Sequence, residues 1–294
     1  MALHRRAVLA ATPAARLAAP AFAQPEAPPA PAAPLLGAYE RETGGKIGLF
    51  AENLVSHERI AWRADERFVM CSTFKLSLAA LVLTHVDRGR DRLDELIHYG
   101  PGDFDGDWYA PVARQNLAKG FMSVGAMCEA AVEQSDNTCA NLLLARIGGP
   151  AALTAFWRAT GDAVSRLDHN EPVLNRSPPG DPHDTTTPRA MAGNVRRFLL
   201  GAVLSPASRE RLTGWMIDCK TGDNRLRGGL PKAWRIGDKT GNNGKDASGD
   251  LALAWPRPDR PVVVCAYVQG GSPSAERIAA VFADIGRLVG EHLA

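Results

Sequence analysis

Ser72-Thr73-Phe74-Lys75-Leu76-Ser77-Leu78-Ala79-Ala80-Leu81-Val82-Leu83 is the stretch from which the fold can be read. After Ser72 the run is apolar nearly all round, so it predicts a helix buried inside the protein rather than one laid on its surface. Helical patterns continue from it to about residue 216. Outside that span the periodicity changes. Lys46 to Glu52 and Glu58 to Trp62 on one side read as strands, as do Ala233 to Asp238, Asp250 to Trp255 and Pro261 to Val268 on the other. The chain closes on an amphipathic helix in which Ile278, Val281, Phe282, Ile285, Leu288, Val289 and Leu293 share one face. Strands at both ends around a helical middle predict an α+β fold. Its mainly antiparallel sheet lobe, an α/β sandwich formed by both termini, takes about residues 37–65 and 217–294, and an all-α lobe of about residues 66–216 is inserted between them.

Composition narrows the function. With 45% apolar and 22% charged residues, a chain of 294 residues can bury a large core and is not disordered. A net charge of +2 without Lys/Arg blocks argues against a nucleic-acid partner. The histidines and cysteines show neither C-x-x-C nor H-E-x-x-H, so no metal or other cofactor is expected. Cys71, Cys128, Cys139, Cys219 and Cys265 are odd in number and scattered, unlike a dense disulfide framework.

Residues 1–23 read as an export signal. Arg5-Arg6 precede an Ala/Val/Leu-rich run, and Ala21-Phe22-Ala23 offers a small-x-small cleavage pattern. His4-Arg5-Arg6-Ala7-Val8-Leu9 resembles a twin-arginine signal, with the general secretory route as the alternative. Residues 24–36 are a Pro/Ala-rich leader, and residues 37–294 the folded domain. No later stretch is long and apolar enough to span a bilayer, so a periplasmic or secreted product, free of the membrane and monomeric, is expected.

Four short motifs carry the chemistry. Ser72 and Lys75, three apart at the start of the buried helix, share one face. A serine hydroxyl becomes a nucleophile only when a desolvated amine or a carboxylate accepts its proton. Ser135-Asp136-Asn137 interrupts the helical part with three residues that prefer caps and turns. Glu171-Pro172-Val173-Leu174-Asn175 lies in a long polar loop reaching Pro188. Lys239-Thr240-Gly241 follows a strand, where Lys and Thr can project from a sheet edge and Gly241 admits close backbone approach. A second K-T-G, Lys220-Thr221-Gly222, follows the helix-like Arg209 to Cys219 and reads as a helix end closing on glycine. An S-x-x-K alone arises roughly once by chance in a chain of this size, whereas all four motifs in this order do not.

Over about residues 37–294 the chain resembles the class A serine β-lactamases, whose S-x-x-K, S-D-N, E-x-x-x-N and K-T-G elements are all present. The resemblance implies hydrolysis of the β-lactam amide of penicillins and cephalosporins, and with it antibiotic resistance. Ser72 would be the nucleophile, and Lys75 would orient it or take its proton. Ser135 would relay a proton to the departing nitrogen, and Asn137 would bind the substrate's amide side chain. Glu171 and Asn175 would hold and activate the hydrolytic water. Lys239 and Thr240 would face the substrate carboxylate, and the backbone N–H groups of Ser72 and Asn242, next to Gly241, would form the oxyanion hole. Lys75 and Lys239, if close, should lower one another's pKa. A penicillin-binding peptidase and a sensor that stays acylated share part of this chemistry; Glu171 with Asn175 separates the hydrolase from both.

Departures from the family pattern bear on subtype. Many members carry an arginine on the strand after K-T-G; Ala247-Ser248-Gly249-Asp250 has none, and Arg225 stands where another branch supplies the guanidinium. Cys71 is present, but Asn242 and Asn243 occupy the place of its disulfide partner in the carbapenem-hydrolysing branch. The aromatic residue at the substrate mouth would be Tyr109 or Trp108. His169 replaces an arginine that relatives pair with an aspartate, here Asp184, across the neck of the Glu171 loop.

Overall fold

The computed structural model describes residues 32–104, 109–176, 178 and 180–294. The export signal and Trp108 therefore lie outside the described residues. Five strands form the main sheet: β1 (Lys46–Asn53), β2 (Arg59–Trp62), β3 (Arg235–Asn242), β4 (Ala247–Arg257) and β5 (Arg260–Gln269). Their order is β2-β1-β5-β4-β3 and every neighbouring pair is antiparallel. The main helices are α1 (Ala32–Thr43), α2 (Phe74–Asp87), α3 (Val124–Glu133), α4 (Asn137–Ile147), α5 (Pro150–Ala159), α6 (Pro188–Leu199), α7 (Pro206–Ile217) and α8 (Ala275–His292).

Alternation along the strands divides the core in two, since successive side chains point to opposite faces. Leu49, Ala252, Val264 and Ala266 pack with α1 and α8 on one face of the sheet. Phe50, Leu251, Cys265 and Tyr267 pack with the helical lobe on the other. Helix α2 lies at the centre of that lobe, with every residue from Phe74 to Thr84 buried. Among the described residues no single helix is long and apolar enough to cross a membrane.

Three boundaries differ from the sequence reading by three residues or more. Helix α1 begins at Ala32, inside the stretch read as a leader, because Leu36 and Tyr39 are buried against the sheet; Pro34 is tolerated in its first turn, where no N–H is needed. Strand β3 continues through Lys239-Thr240-Gly241 to Asn242 instead of stopping at Asp238. Strand β4 starts at Ala247, since Ser248 and Gly249 pair with Asn242 and Gly241 although neither is a strand-forming residue type.

Candidate active site

Ser72 sits in a 3₁₀ turn (Cys71–Thr73) that runs directly into α2. Cys71 holds a left-handed φ of +45°, a bend that turns the chain from the preceding strand-like segment into the helix. Strand β3 is the sheet edge beside this turn. A Cβ at Gly241 would stand 2.7 Å from the Ser72 nitrogen and 2.9 Å from that of Thr73, so only glycine lets the edge lie against the turn.

The S-D-N segment is a hinge between two helices. Helix α3 stops at Glu133, Ser135 takes φ +59°, and Asp136 caps α4 by accepting from the Cys139 N–H. The other Asp136 oxygen accepts from the Val112 and Ala113 N–H groups, which ties the hinge to the segment bearing Tyr109. Ser135 and Asn137 are thereby turned towards α2.

The side chains converge on one cleft of about 370 Å³, lined by Ser72, Tyr109, Ser135, Asn137, Glu171 and Asn175 among others. The Ser72 hydroxyl donates to Glu171 Oε1 at 3.1 Å. Lys75 Nζ stands 3.2 Å from the same oxygen and donates to Ser135 O at 2.8 Å and Asn137 Oδ1 at 2.5 Å. Asn175 Nδ2 donates to Glu171 Oε2 at 2.6 Å. Lys239 Nζ donates to Ser135 Oγ at 3.1 Å and Thr240 O at 2.7 Å. The two lysines thus meet on Ser135, with Lys75 Nζ 3.5 Å from its hydroxyl.

Both ammonium groups are fully buried and both have lowered pKa values. Burial is the largest cause in each case, and the Lys75 charge adds to it at Lys239, which is pushed down to about 7. Desolvation therefore outweighs the mutual repulsion expected from the sequence. At Lys75 the Glu171 carboxylate works in the opposite direction.

Arg225 reaches the cleft from the segment after α7. Its Nη1 donates to Gly241 O at 3.1 Å, Ser248 Oγ at 2.9 Å and Gly249 O at 3.2 Å, the guanidinium lies over the Phe282 ring 5.6 Å from its centroid, and Nη2 and Nε make no hydrogen bond among the described residues. Tyr109 is 55% exposed at the cleft mouth, and its carbonyl accepts from the Asn137 N–H. All five cysteines are free and buried. Among the described residues no group of three or more His, Cys, Asp and Glu is placed to hold a metal ion.

Two residues of the site escaped the sequence reading. Asn141 clasps the Glu171 backbone, accepting from its N–H and donating to its C=O, both at 3.0 Å. Its place four residues after Asn137, on the same face of α4, was the available signal. Thr221, in the K-T-G copy read as a helix end, instead lines the cleft with its hydroxyl 2.6 Å from that of Thr240. Helix α7 has already ended at Ile217; the Lys220 N–H then bonds Glu133 O, and Gly222 packs so closely on the Asp238 carboxylate that no Cβ fits.

His169 and Asp184 do meet. Nδ1 lies 2.6 Å from Asp184 Oδ2, while Asp184 Oδ1 accepts from the N–H groups of Asp168 and His169. The bond to Asp184 raises the His169 pKa. A raised folded value means that the pair stabilises the loop fully below the ordinary value near 6.5 and loses that contribution as pH rises through the folded one. The imidazole is 48% exposed and the backbone bonds persist at every pH, so the contribution is about 0.2–1 kcal/mol. Hydrogen exchange in residues 166–186, corrected for intrinsic rates, should show about 1.4- to 5-fold greater protection in mildly acid than in mildly alkaline solution. His169→Ala should abolish the difference; equal pH dependence in parent and variant would remove the histidine from this role. His183, whose ring is 6.1 Å away, is a second histidine at the same neck, so the variant is the necessary control.

A serine, two buried lysines and a loop-borne carboxylate meet here, the groups that acyl transfer through a serine requires. Residues 33–293 match the beta-lactamase enzyme family. Beta-lactamase L2 of Stenotrophomonas maltophilia is 48% identical over 252 residues, 85% of this chain and 82% of that protein. An ancestral class A β-lactamase (GNCA) superposes with a TM-score of 0.83 at 51% identity, over 88% of this chain and 98% of that one. A β-lactamase from Xanthomonas campestris gives 0.85 at 44% identity, over 89% and 97%. The chain belongs to the beta-lactamase enzyme family. Within it, the chain is a class A serine β-lactamase.

Proposed function

We propose that the protein hydrolyses the lactam amide of penicillins and cephalosporins through an ester on Ser72, which water activated by Glu171 then cleaves. The observation that carries this reading is the bond from Ser72 Oγ to Glu171, with the buried Lys75 ammonium on the same carboxylate oxygen. Ser72 Oγ attacks the lactam carbonyl carbon as its proton passes to a base. The direct bond favours Glu171 as that base, since Lys75 is committed to Ser135, Asn137 and Glu171. The tetrahedral oxyanion is received by the backbone N–H groups of Ser72 and Asn242. Its collapse breaks the C–N bond, and the nitrogen takes the Ser135 proton; Lys75 replaces that proton and takes in turn the one Glu171 received from Ser72, which leaves Glu171 a carboxylate again. Water then adds to the ester as Glu171, oriented by Asn175 and Asn141, accepts its proton; the C–O bond breaks and Ser72 regains its hydrogen. Thr240, Lys239 and Arg225 hold the ring carboxylate, and Asn137 the side-chain amide.

Purified protein mixed with a chromogenic cephalosporin should convert many equivalents per molecule. Release of one equivalent followed by arrest would overturn the hydrolase in favour of a protein that is merely acylated. The same proposal places the enzyme outside the cytoplasm after removal of residues 1–23; the Arg5-Arg6 pair and the Ala21-Phe22-Ala23 site support export, as does a family match that begins only at residue 33.

A further inference from the structure

Three side chains stand in line at the Thr240 end of the cleft. Cys219 Sγ lies 3.4 Å from Thr221 Oγ1, which lies 2.6 Å from Thr240 Oγ1. Thr221 and Thr240 both line the cleft, whereas Cys219 is buried behind them. The proposed reaction has no task for Thr221 or the thiol. A hydroxyl has one hydrogen to give, and a carboxylate can only accept. If Thr240 gives its hydrogen to the substrate carboxylate, it must be the acceptor in its contact with Thr221. Thr221 has then spent its own hydrogen on Thr240, and the atom placed to donate to it in turn is the Cys219 thiol.

We propose that Thr221 and Cys219 are positioning residues for substrate binding: a one-way relay, Cys219 S–H to Thr221 O–H to Thr240 O–H, fixes the Thr240 hydroxyl as a donor aimed at the substrate's ring carboxylate. Hydrogen bonds in a chain polarise one another, so the terminal donor is strengthened as well as oriented. Burial raises the Cys219 pKa, which keeps the thiol protonated and able to donate. The adjoining segment supplies Arg225, whose N–H bonds Gly222 O at 2.9 Å, so one stretch of chain, residues 219–225, furnishes both the relay and a guanidinium. The inference rests on the reading that Thr240 faces that carboxylate.

The test compares kcat/KM for a cephalosporin bearing the free ring carboxylate with that for its ring methyl ester, in the parent, Thr221→Val, Thr221→Ser and Cys219→Ala. The readout is the acid-to-ester ratio, from which any general loss through altered packing cancels. In Thr221→Val the ratio should fall about three- to tenfold, mainly through KM for the acid, as expected for one neutral hydrogen bond. Thr221→Ser should restore it. Cys219→Ala should lower it about two- to threefold, because a thiol is a weak donor. A ratio that stays at the parent value in Thr221→Val, or a serine variant as impaired as the valine one, overturns the relay. A parent without preference for the acid overturns the carboxylate reading itself, and the relay with it; a parent that prefers the acid and a valine variant that keeps the preference overturn the relay alone.

Discussion

Glu171→Ala is expected to turn the enzyme into a trap for its substrate. The contacts that fix the Glu171 carboxylate, from Ser72, Lys75 and Asn175, would be lost, and with them the group that takes a proton from the hydrolytic water. Removing a positioned general base costs typically 10²–10⁴-fold. The cost should fall hardest on the second half of the reaction: without Glu171, which raises its pKa, the buried Lys75 is more readily the neutral amine that can take the Ser72 proton in the first half, whereas the hydrolytic water loses its base. An ester that forms and cannot leave must accumulate. Mass spectrometry after brief exposure to a penicillin should show the variant heavier by one intact drug, and steady-state turnover should drop by about 10²–10⁴-fold. Turnover at the parental rate would take the role of base away from Glu171. Asn141, which clasps the Glu171 backbone, offers a graded version of the same experiment.

Arg225→Ala should cost about ten- to a hundredfold in kcat/KM for substrates with a ring carboxylate, the effect of one charge-assisted hydrogen bond of roughly 1.5–3 kcal/mol. One arm of the guanidinium, Nη1, is already engaged by Gly241 O, Ser248 Oγ and Gly249 O; Nη2 and Nε are the atoms left for a ligand. That division makes two explanations of a loss possible, because the bound arm also braces the strand that carries Gly241 and Asn242. A methyl-ester substrate separates them. If Arg225 binds the carboxylate, the ester should feel the substitution much less than the acid; equal losses on both would mean that the arginine supports the strand.

How far the sequence could be read depended on the kind of residue. Phe74 to Leu83 is apolar on every side, and no environment except a core suits it, so the central helix was legible outright. The strands β1 and β5 carry runs of buried apolar residues and were legible for the same reason. The ends of β3 and β4 were not, because Lys239, Thr240, Gly241, Ser248 and Gly249 are there to line a cleft or admit a neighbour, and residues selected for that give no strand signal. Four motifs brought Ser72, Lys75, Ser135, Asn137, Glu171, Asn175, Lys239 and Thr240 together on paper. Thr221 was set aside because its three-letter context looked like a helix end; only the path of the chain after Ile217, drawn across by the Lys220 bond to Glu133, reveals where its hydroxyl goes. Likewise the lowered pKa values of the two lysines follow from the depth of the cleft, which no spacing in the sequence encodes.

Strand β1 has its longer partner at the other end of the chain: residues Lys46 to Asn53 pair with Val262 to Gln269, and the Asn53 side chain donates to Leu293 O. A ribosome therefore releases the first strand long before anything exists for its inner edge to bond. Contacts between segments so far apart form late and slowly, because a very long loop must close first. The central sheet can be completed only once residues 262–269 have been made, and until then β1 is an open edge that could pair with the wrong chain. A nascent chain cut short anywhere before residue 262 lacks the strand that joins its two ends, however complete its set of catalytic side chains.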